Sequence, residues 1–329
     1  MRIIVDAMGG DNAPEAIVNG CILARDEYNV NIVLSGKEDL LKQNIEKYTN
    51  DFSNLDILNA DDVITNDDKP VKAIRRKKES SLVKALYAVK NNDADAIVSA
   101  GSTGALLTGA TVIIGRVGGL ERPALAPFIP TAKGYSLLVD AGANVDCKPE
   151  FLYDFAEMGS IYIKNFMNID NPRVGLLNIG AEKGKGNKLT NDAYSMLENS
   201  NLNFVGNIEG RYALDGAIDV IVADGFAGNV MLKSIEGTAS FIMSSLKEEL
   251  TSTFISKVGA LLTKPSLRKF KKRFDYGEYG GAMLLGVNAP VIKAHGSSDS
   301  IAIKNAIKQS KTILDSSIVD LIRESISRR

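Results

Sequence analysis

The sequence predicts an α/β fold built on a parallel sheet covered by helices on both faces. Two observations carry that expectation. Short runs rich in Val and Ile alternate with helical stretches, and the runs are continuously apolar, as strands buried on both sides must be. The chain opens on a strand at 3–6, followed by a helix at 14–27 and strands at 31–34 and 56–59. A helix at 80–91 leads to the strand 96–99, and a further helix covers 105–114. Then come a strand at 136–140, a helix at 150–166, a strand at 173–178, a helix at 191–198, and strands at 203–205 and 219–223. From Ile235 a long helix runs through Leu250 and continues to Leu262. In it Phe254, Val258, Leu261 and Leu262 fall on one helical face. One catalytic domain over 1–329 is expected, with a helical protrusion at about 235–275.

Composition excludes several classes. The 329 residues are 45% hydrophobic, enough for a sizeable core. A net charge of −1 argues against a general nucleic-acid binder. Cys21 and Cys147 show no pairing pattern, which suggests a reducing compartment. The N-terminus runs directly into a strand with no signal peptide, and the longest apolar run, 105–115, is shorter than the ~20 residues a span needs. A cytoplasmic protein is expected.

The ends of the strands are more telling. Five strands run into Gly-rich polar loops: Ala7-Met8-Gly9-Gly10-Asp11, Ala100-Gly101-Ser102-Thr103-Gly104, Ala141-Gly142-Ala143-Asn144, Ile179-Gly180-Ala181-Glu182-Lys183-Gly184-Lys185 and Asp224-Gly225-Phe226-Ala227-Gly228-Asn229. In a parallel sheet such loops share the carboxyl edge, where these folds place their sites, so a large polar cleft is expected there. Ser102, Thr103 and Gly104 open a helix and can present main-chain N–H groups to phosphate. The loop is neither a Walker A nor a Gly-x-Gly-x-x-Gly motif, so no nucleotide cofactor is indicated. Lys183 and Lys185 can surround an anion, with Glu182 orienting them or handling a proton. Asn229 offers an amide, or a plain helix cap.

The one histidine, His295, lies in Ala294-His295-Gly296-Ser297-Ser298-Asp299, so any imidazole chemistry happens there. Asp6, Asp11, Asp140, Asp146 and Asp224 show no recognisable ligand spacing, which leaves metal a minority reading. Cys147, with only Lys148 beside it, reads as a bystander thiol. Two basic clusters stand out: Arg75-Arg76-Lys77-Lys78, and six cations between Lys264 and Arg273. The second adjoins the apolar helix face and suits an anionic membrane or an acidic partner; core packing or a dimer seam is the plainer alternative.

Together these motifs resemble one family. Asp6-Ala7-Met8-Gly9-Gly10-Asp11, Ser99-Ala100-Gly101-Ser102-Thr103-Gly104, Glu121-Arg122-Pro123-Ala124-Leu125, Asp140-Ala141-Gly142-Ala143-Asn144-Val145-Asp146-Cys147, Asn178-Ile179-Gly180, Asp224-Gly225-Phe226, Gly228-Asn229 and Lys293-Ala294-His295-Gly296 look, in that order, like the bacterial phosphate acyltransferases. Those enzymes convert acyl-acyl-carrier-protein and inorganic phosphate to acyl phosphate early in phospholipid synthesis. The resemblance implies a Rossmann-like α/β/α sandwich related to isocitrate and isopropylmalate dehydrogenases and phosphotransacetylases. It also implies a homodimer, peripheral membrane association, a downstream glycerol-3-phosphate acyltransferase, and no cofactor or metal. Ala227 and Ala181 depart from the family's usual Thr and Glu, so position 227 supplies no essential hydroxyl here.

On that reading Ser102, Thr103, Gly104, Lys183 and Lys185 take phosphate, Asn144 and Asn229 meet the carbonyl oxygen, and His295 moves the proton. Asp6, Asp11, Asp140, Asn178 and Asp224 orient them. Arg75, Arg76, Arg268 and Lys269 are docking charges for the acidic carrier protein, and Phe254, Val258, Leu261 and Leu262 are membrane contacts. The alternatives are a phosphotransacetylase acting on a short-chain acyl-coenzyme A, a decarboxylating dehydrogenase, and a non-catalytic membrane scaffold.

Overall fold

A computed structural model describes residues 1–272, Gly277 and residues 280–329. The first part of the chain is β1 (Arg2–Asp6), α1 (Glu15–Tyr28), β2 (Asn31–Gly36), α2 (Glu38–Glu46), β3 (Leu55–Asn59), α3 (Pro70–Arg76), α4 (Ser81–Lys90), β4 (Ala96–Ser99) and α5 (Thr103–Gly109), which a π-helical segment extends over Ala110–Ile114. The middle is β5 (Ala124–Ala126), β6 (Phe128–Thr131), β7 (Gly134–Val139), α6 (Pro149–Met167), β8 (Val174–Asn178), α7 (Lys188–Glu198), β9 (Phe204–Glu209) and β10 (Val220–Val222). The last part is α8 (Gly225–Ser252), α9 (Phe254–Lys272), β11 (Ala282–Leu285), β12 (Val291–Lys293), α10 (Ser300–Asp315) and α11 (Ile318–Ser327).

The expectation of one parallel sheet needs correction. The described residues form two sheets, ordered β3-β2-β1-β4-β12-β11-β5 and β6-β7-β10-β8-β9. Both are mostly parallel, but β11 runs antiparallel to β12 and β5, and β6 antiparallel to β7. The antiparallel pieces escaped the sequence because they are short and punctuated by Pro123, Pro127 and Pro130. Proline donates nothing to a ladder and is confined to sheet edges; here it marks where the chain leaves β5 for β6. The sheets are stitched there: Ala141 N–H donates to Leu125 O at 2.9 Å, and Leu125 N–H to Asp140 Oδ1 at 2.9 Å.

The strands are buried as their apolar runs require; Ile3, Ile4, Ile32, Leu34, Ile97, Val98, Leu137 and Leu138 are all inaccessible. Phe128, Tyr162 and Phe166 form an aromatic cluster between β6 and α6, with centroids 5.1–5.6 Å apart. The long helix from Ile235 is also corrected. It breaks at Thr253, whose backbone is extended, into α8 and α9, and Thr253 Oγ1 accepts from Ser256 N–H to cap α9. Phe254, Val258, Leu261 and Leu262 are all exposed, Leu262 at 79%, so they do not pack into this chain's own core. Arg268 and Lys269 are exposed on α9, whereas Arg273 lies outside the described residues. No described helix is long and apolar enough to cross a membrane.

Candidate active site

A cavity of about 550 Å³ lies where the two sheets meet, within the usual range for a small-molecule pocket. The first sheet supplies Asp11 after β1, Ala100 and Gly101 after β4, Thr103 and Gly104 on α5, and Lys293 to Gly296 at the end of β12. The second supplies Phe128 on β6, Ala141 and Gly142 after β7, and Asn229, Leu232, Lys233 and Glu236 on α8. The root of α8 is fixed by close approach: a Cβ on Gly228 would lie 1.9 Å from Asp140 O, so only glycine lets the helix sit there. The lining combines polar and cationic groups with an apolar set, Leu107, Leu125, Pro127, Phe128, Leu232 and Ala282.

His295 is exposed at this cavity. Its Nδ1 accepts from Ser297 N–H at 3.2 Å and lies 2.8 Å from Ser297 Oγ. A ring nitrogen that accepts from a main-chain amide carries no proton, so the neutral ring holds its hydrogen on Nε2, free to be donated. Asn229, exposed in the first turns of α8, packs its amide against Gly142. Asp224, not Asn229, caps α8: its Oδ1 accepts from Ala227 N–H at 2.9 Å. Asp11 is tied into the site through its N–H, which donates to Gly296 O at 2.8 Å.

Several predicted groups have structural work instead. Asp140 is inaccessible and accepts from the N–H groups of Leu125, Gly142, Ala143 and Asn144 and from Asn144 Nδ2. Burial pushes its carboxyl up, while these bonds pull it back. Asn144 spends its amide on Asp140 Oδ2 and Pro123 O, which leaves no donor for a carbonyl oxygen. Asp6 is buried, with its oxygens held by Ser81 Oγ at 2.6 Å and Ser99 Oγ at 2.7 Å; burial raises its pKa against those bonds. Ser102 precedes α5 and does not line the cavity, although Thr103 and Gly104 do.

The loop bearing Glu182, Lys183 and Lys185 also stands off the lining. It follows β8, one strand along from β10 on the same edge. Lys183 Nζ bridges Glu198 at 2.6 Å, which raises its pKa, and lies 5.6 Å from the Tyr194 ring centroid. Asn178 braces this loop through Lys185 O and Asn207 Oδ1. The loop stays outside because β8 lies beyond β10 in its sheet, a strand farther from β7, where the two sheets are joined. Cys147 is half-buried, and burial pushes its thiol up to about 11, so it is no nucleophile at neutral pH. Among the described residues no group of three or more His, Cys, Asp or Glu side chains could hold a metal. Arg75 and Arg76 are exposed at the end of α3, which packs on α5 through Pro70 against Gly104.

Lys293 and Lys233, which sequence reasoning did not assign, line the cavity. Lys293 donates to Ala100 O at 3.2 Å and to Ala294 O, and burial pulls its ammonium down to about 8 from 10.5. The signal available in sequence was a lysine closing an apolar run, two residues before the one histidine.

The family model described as fatty acid synthesis protein matches residues 1–320. A phosphate acyltransferase of Clostridium novyi (strain NT) is 51% identical over 100% of this chain and 99% of its own length. A phosphate acyltransferase of Thermoanaerobacterium thermosaccharolyticum is 50% identical over 99% of this chain and 97% of its own. Among solved structures, a phosphotransacetylase from Streptococcus pyogenes superposes with a TM-score of 0.63 at 16% identity, covering 95% of this chain and 94% of that one. A branched-chain phosphotransacylase from Enterococcus faecalis V583 reaches 0.57 at 13%, covering 95% and 98%. At those identities the structural likeness establishes a Rossmann-like α/β/α fold and nothing finer. The sequence likeness goes further, and by it the chain belongs to the fatty acid synthesis protein family, as an enzyme of the phosphate acyltransferase kind that transfers acyl groups to phosphate.

Proposed function

We propose that the donor is the thioester of a long-chain acyl-acyl carrier protein and that the product is an acyl phosphate destined for phosphatidic acid. The observation that carries this reading is a cavity lined both by cations, Lys293 and Lys233, that suit an anion and by apolar side chains that suit an acyl chain. A phosphate oxygen attacks the thioester carbonyl, the C–S bond breaks, and the proton of hydrogen phosphate ends on the sulfur. No cofactor or metal is needed for that balance. Thr103 and Gly104 take phosphate through main-chain N–H groups, Asn229 meets the oxyanion, and His295 carries the hydrogen phosphate proton to the departing thiolate.

Lys183 joins from the neighbouring strand end by exchanging Glu198 for the incoming anion. An exposed pair of that kind is worth only about 0–1 kcal/mol, so a phosphate competes for it easily; Lys185 follows on the same loop. The leucines and Phe128 begin the acyl site. Arg75 and Arg76, on the helix packed against α5, dock the acidic carrier protein, helped by Arg268 and Lys269. The exposed apolar face of α9 rests on the anionic inner face of the cell membrane, where a cytoplasmic homodimer would pass acyl phosphate to a glycerol-3-phosphate acyltransferase.

The deciding experiment is phosphate-dependent thiol release from palmitoyl-acyl carrier protein, with acetyl-coenzyme A in parallel. Release from the carrier protein, with acyl phosphate appearing in step, supports this reading. Reaction with acetyl-coenzyme A alone moves the donor to a short-chain thioester, and silence on both removes the proposal.

A further inference from the structure

Lys293 is a lysine whose position makes little sense for stability. It closes β12, opposite Ser99 of β4 in register, and it lines the cavity. Among the described residues no carboxylate comes within ion-pair distance of it; its bonds are to the main-chain oxygens of Ala100 and Ala294. The charges that act on it come from three elements: Asp6 on β1, Asp11 on the loop after β1, and Lys233 on α8. The oxygens of Asp6 are already occupied by Ser81 and Ser99. Lys233, in turn, pairs with Glu236 at 2.7 Å. A half-buried ammonium left with only carbonyl dipoles is an unfavourable state that an arriving anion relieves.

Resting on the acyl-transfer reading above, we propose that Lys293 is the cation that binds the attacking phosphate, its ammonium contacting a phosphate oxygen where β4 and β12 end. Asp11 and His295 are the other ionisable groups of the first sheet at this cavity, and Lys233 and Glu236 those of α8. Arginine would keep the charge at every pH, whereas lysine at this site loses it as pH rises through about 8. Phosphate affinity should therefore fall in the alkaline range, by about tenfold per pH unit once the ammonium is mostly deprotonated.

The test uses the full chain, with phosphate KM and acyl-donor KM measured from pH 6.5 to 9.5, and isothermal titration of inorganic phosphate onto the free enzyme. Lys293→Met should raise phosphate KM at least 100-fold, leave acyl-donor KM within threefold, and abolish the alkaline rise. Lys293→Arg should recover part of the affinity and flatten the rise. A phosphate KM in Lys293→Met equal to that of the unaltered chain overturns the proposal, as does an alkaline rise that persists in that variant. If Lys293→Met does not fold, the unaltered chain and Lys293→Arg decide: equal pH profiles in the two overturn it. Phosphate binding by titration without turnover of any acyl donor would sink the acyl-transfer reading alone, because Lys293 would still be answering for the anion.

Discussion

Replacing Lys293 by Met should stabilise the protein at neutral pH while weakening its hold on phosphate. The folded pKa of this lysine is about 8 against 10.5 for a free one, with burial the first cause. The protonated form is therefore the disfavoured one in the fold. Its penalty is complete below about pH 8, shrinks between about 8 and 10.5, and vanishes above that window. At 1.36 kcal/mol per unit, the shift corresponds to at most about 3 kcal/mol; screening by the open cavity brings the expected gain to about 1–3 kcal/mol. Methionine has nearly the same reach and fills the space without a charge. Urea unfolding of both proteins at pH 7 and pH 10, with a common m-value, reads the effect directly. The variant should be more stable at pH 7, and the gap should narrow at pH 10. A methionine variant less stable at pH 7, or a gap independent of pH, would refute the reasoning and return Lys293 to a structural role.

His295→Gln should lower turnover about 10²-fold or more with an unchanged circular dichroism spectrum, since the Nε2 proton donor is lost; near-normal turnover would remove His295 from the chemistry. Asp140→Asn replaces an acceptor oxygen with a donor amide amid five donors, so two or more lose their partner at about 1–3 kcal/mol each. Chemical unfolding should show it as one of the most destabilising single-atom exchanges in the chain. Leu232→Trp should cut kcat/KM for a long-chain donor at least tenfold more than for an acetyl donor, and equal losses would place the acyl chain elsewhere. Leu261→Glu should release the enzyme from anionic vesicles in a flotation assay while soluble turnover holds.

Much of the architecture was legible because buried parallel strands write themselves as apolar runs. The strand expected at 96–99 has those very bounds, and the ones at 3–6 and 56–59 fall short by one residue at the amino end. Partition into two sheets was not legible, since pairing is non-local: β12 sits beside β4 almost 200 residues away, and Pro127 breaks the chain between β5 and β6. The same limit governed the site. His295, Asn229, Thr103, Gly104 and Asp11 stood out by residue type and converge on the cavity. Asn144 and Asp140 stood out for the same reason, yet they are bonded to each other. Only the fold reveals whether a polar side chain after a strand faces a ligand or its own backbone. Lys293 was hidden for the opposite reason, because a lysine ending a strand is ordinarily a solvated one.

The stitch between Leu125 and Ala141 also bears on alignment. Both residues line the cavity, so the two sheets that form it are pinned together there by a main-chain hydrogen bond. Their spacing is consequently a property of backbone geometry. Reactants seated there would need no moving lid to bring them within attack distance, and much of the entropy of alignment would be met when the chain folds.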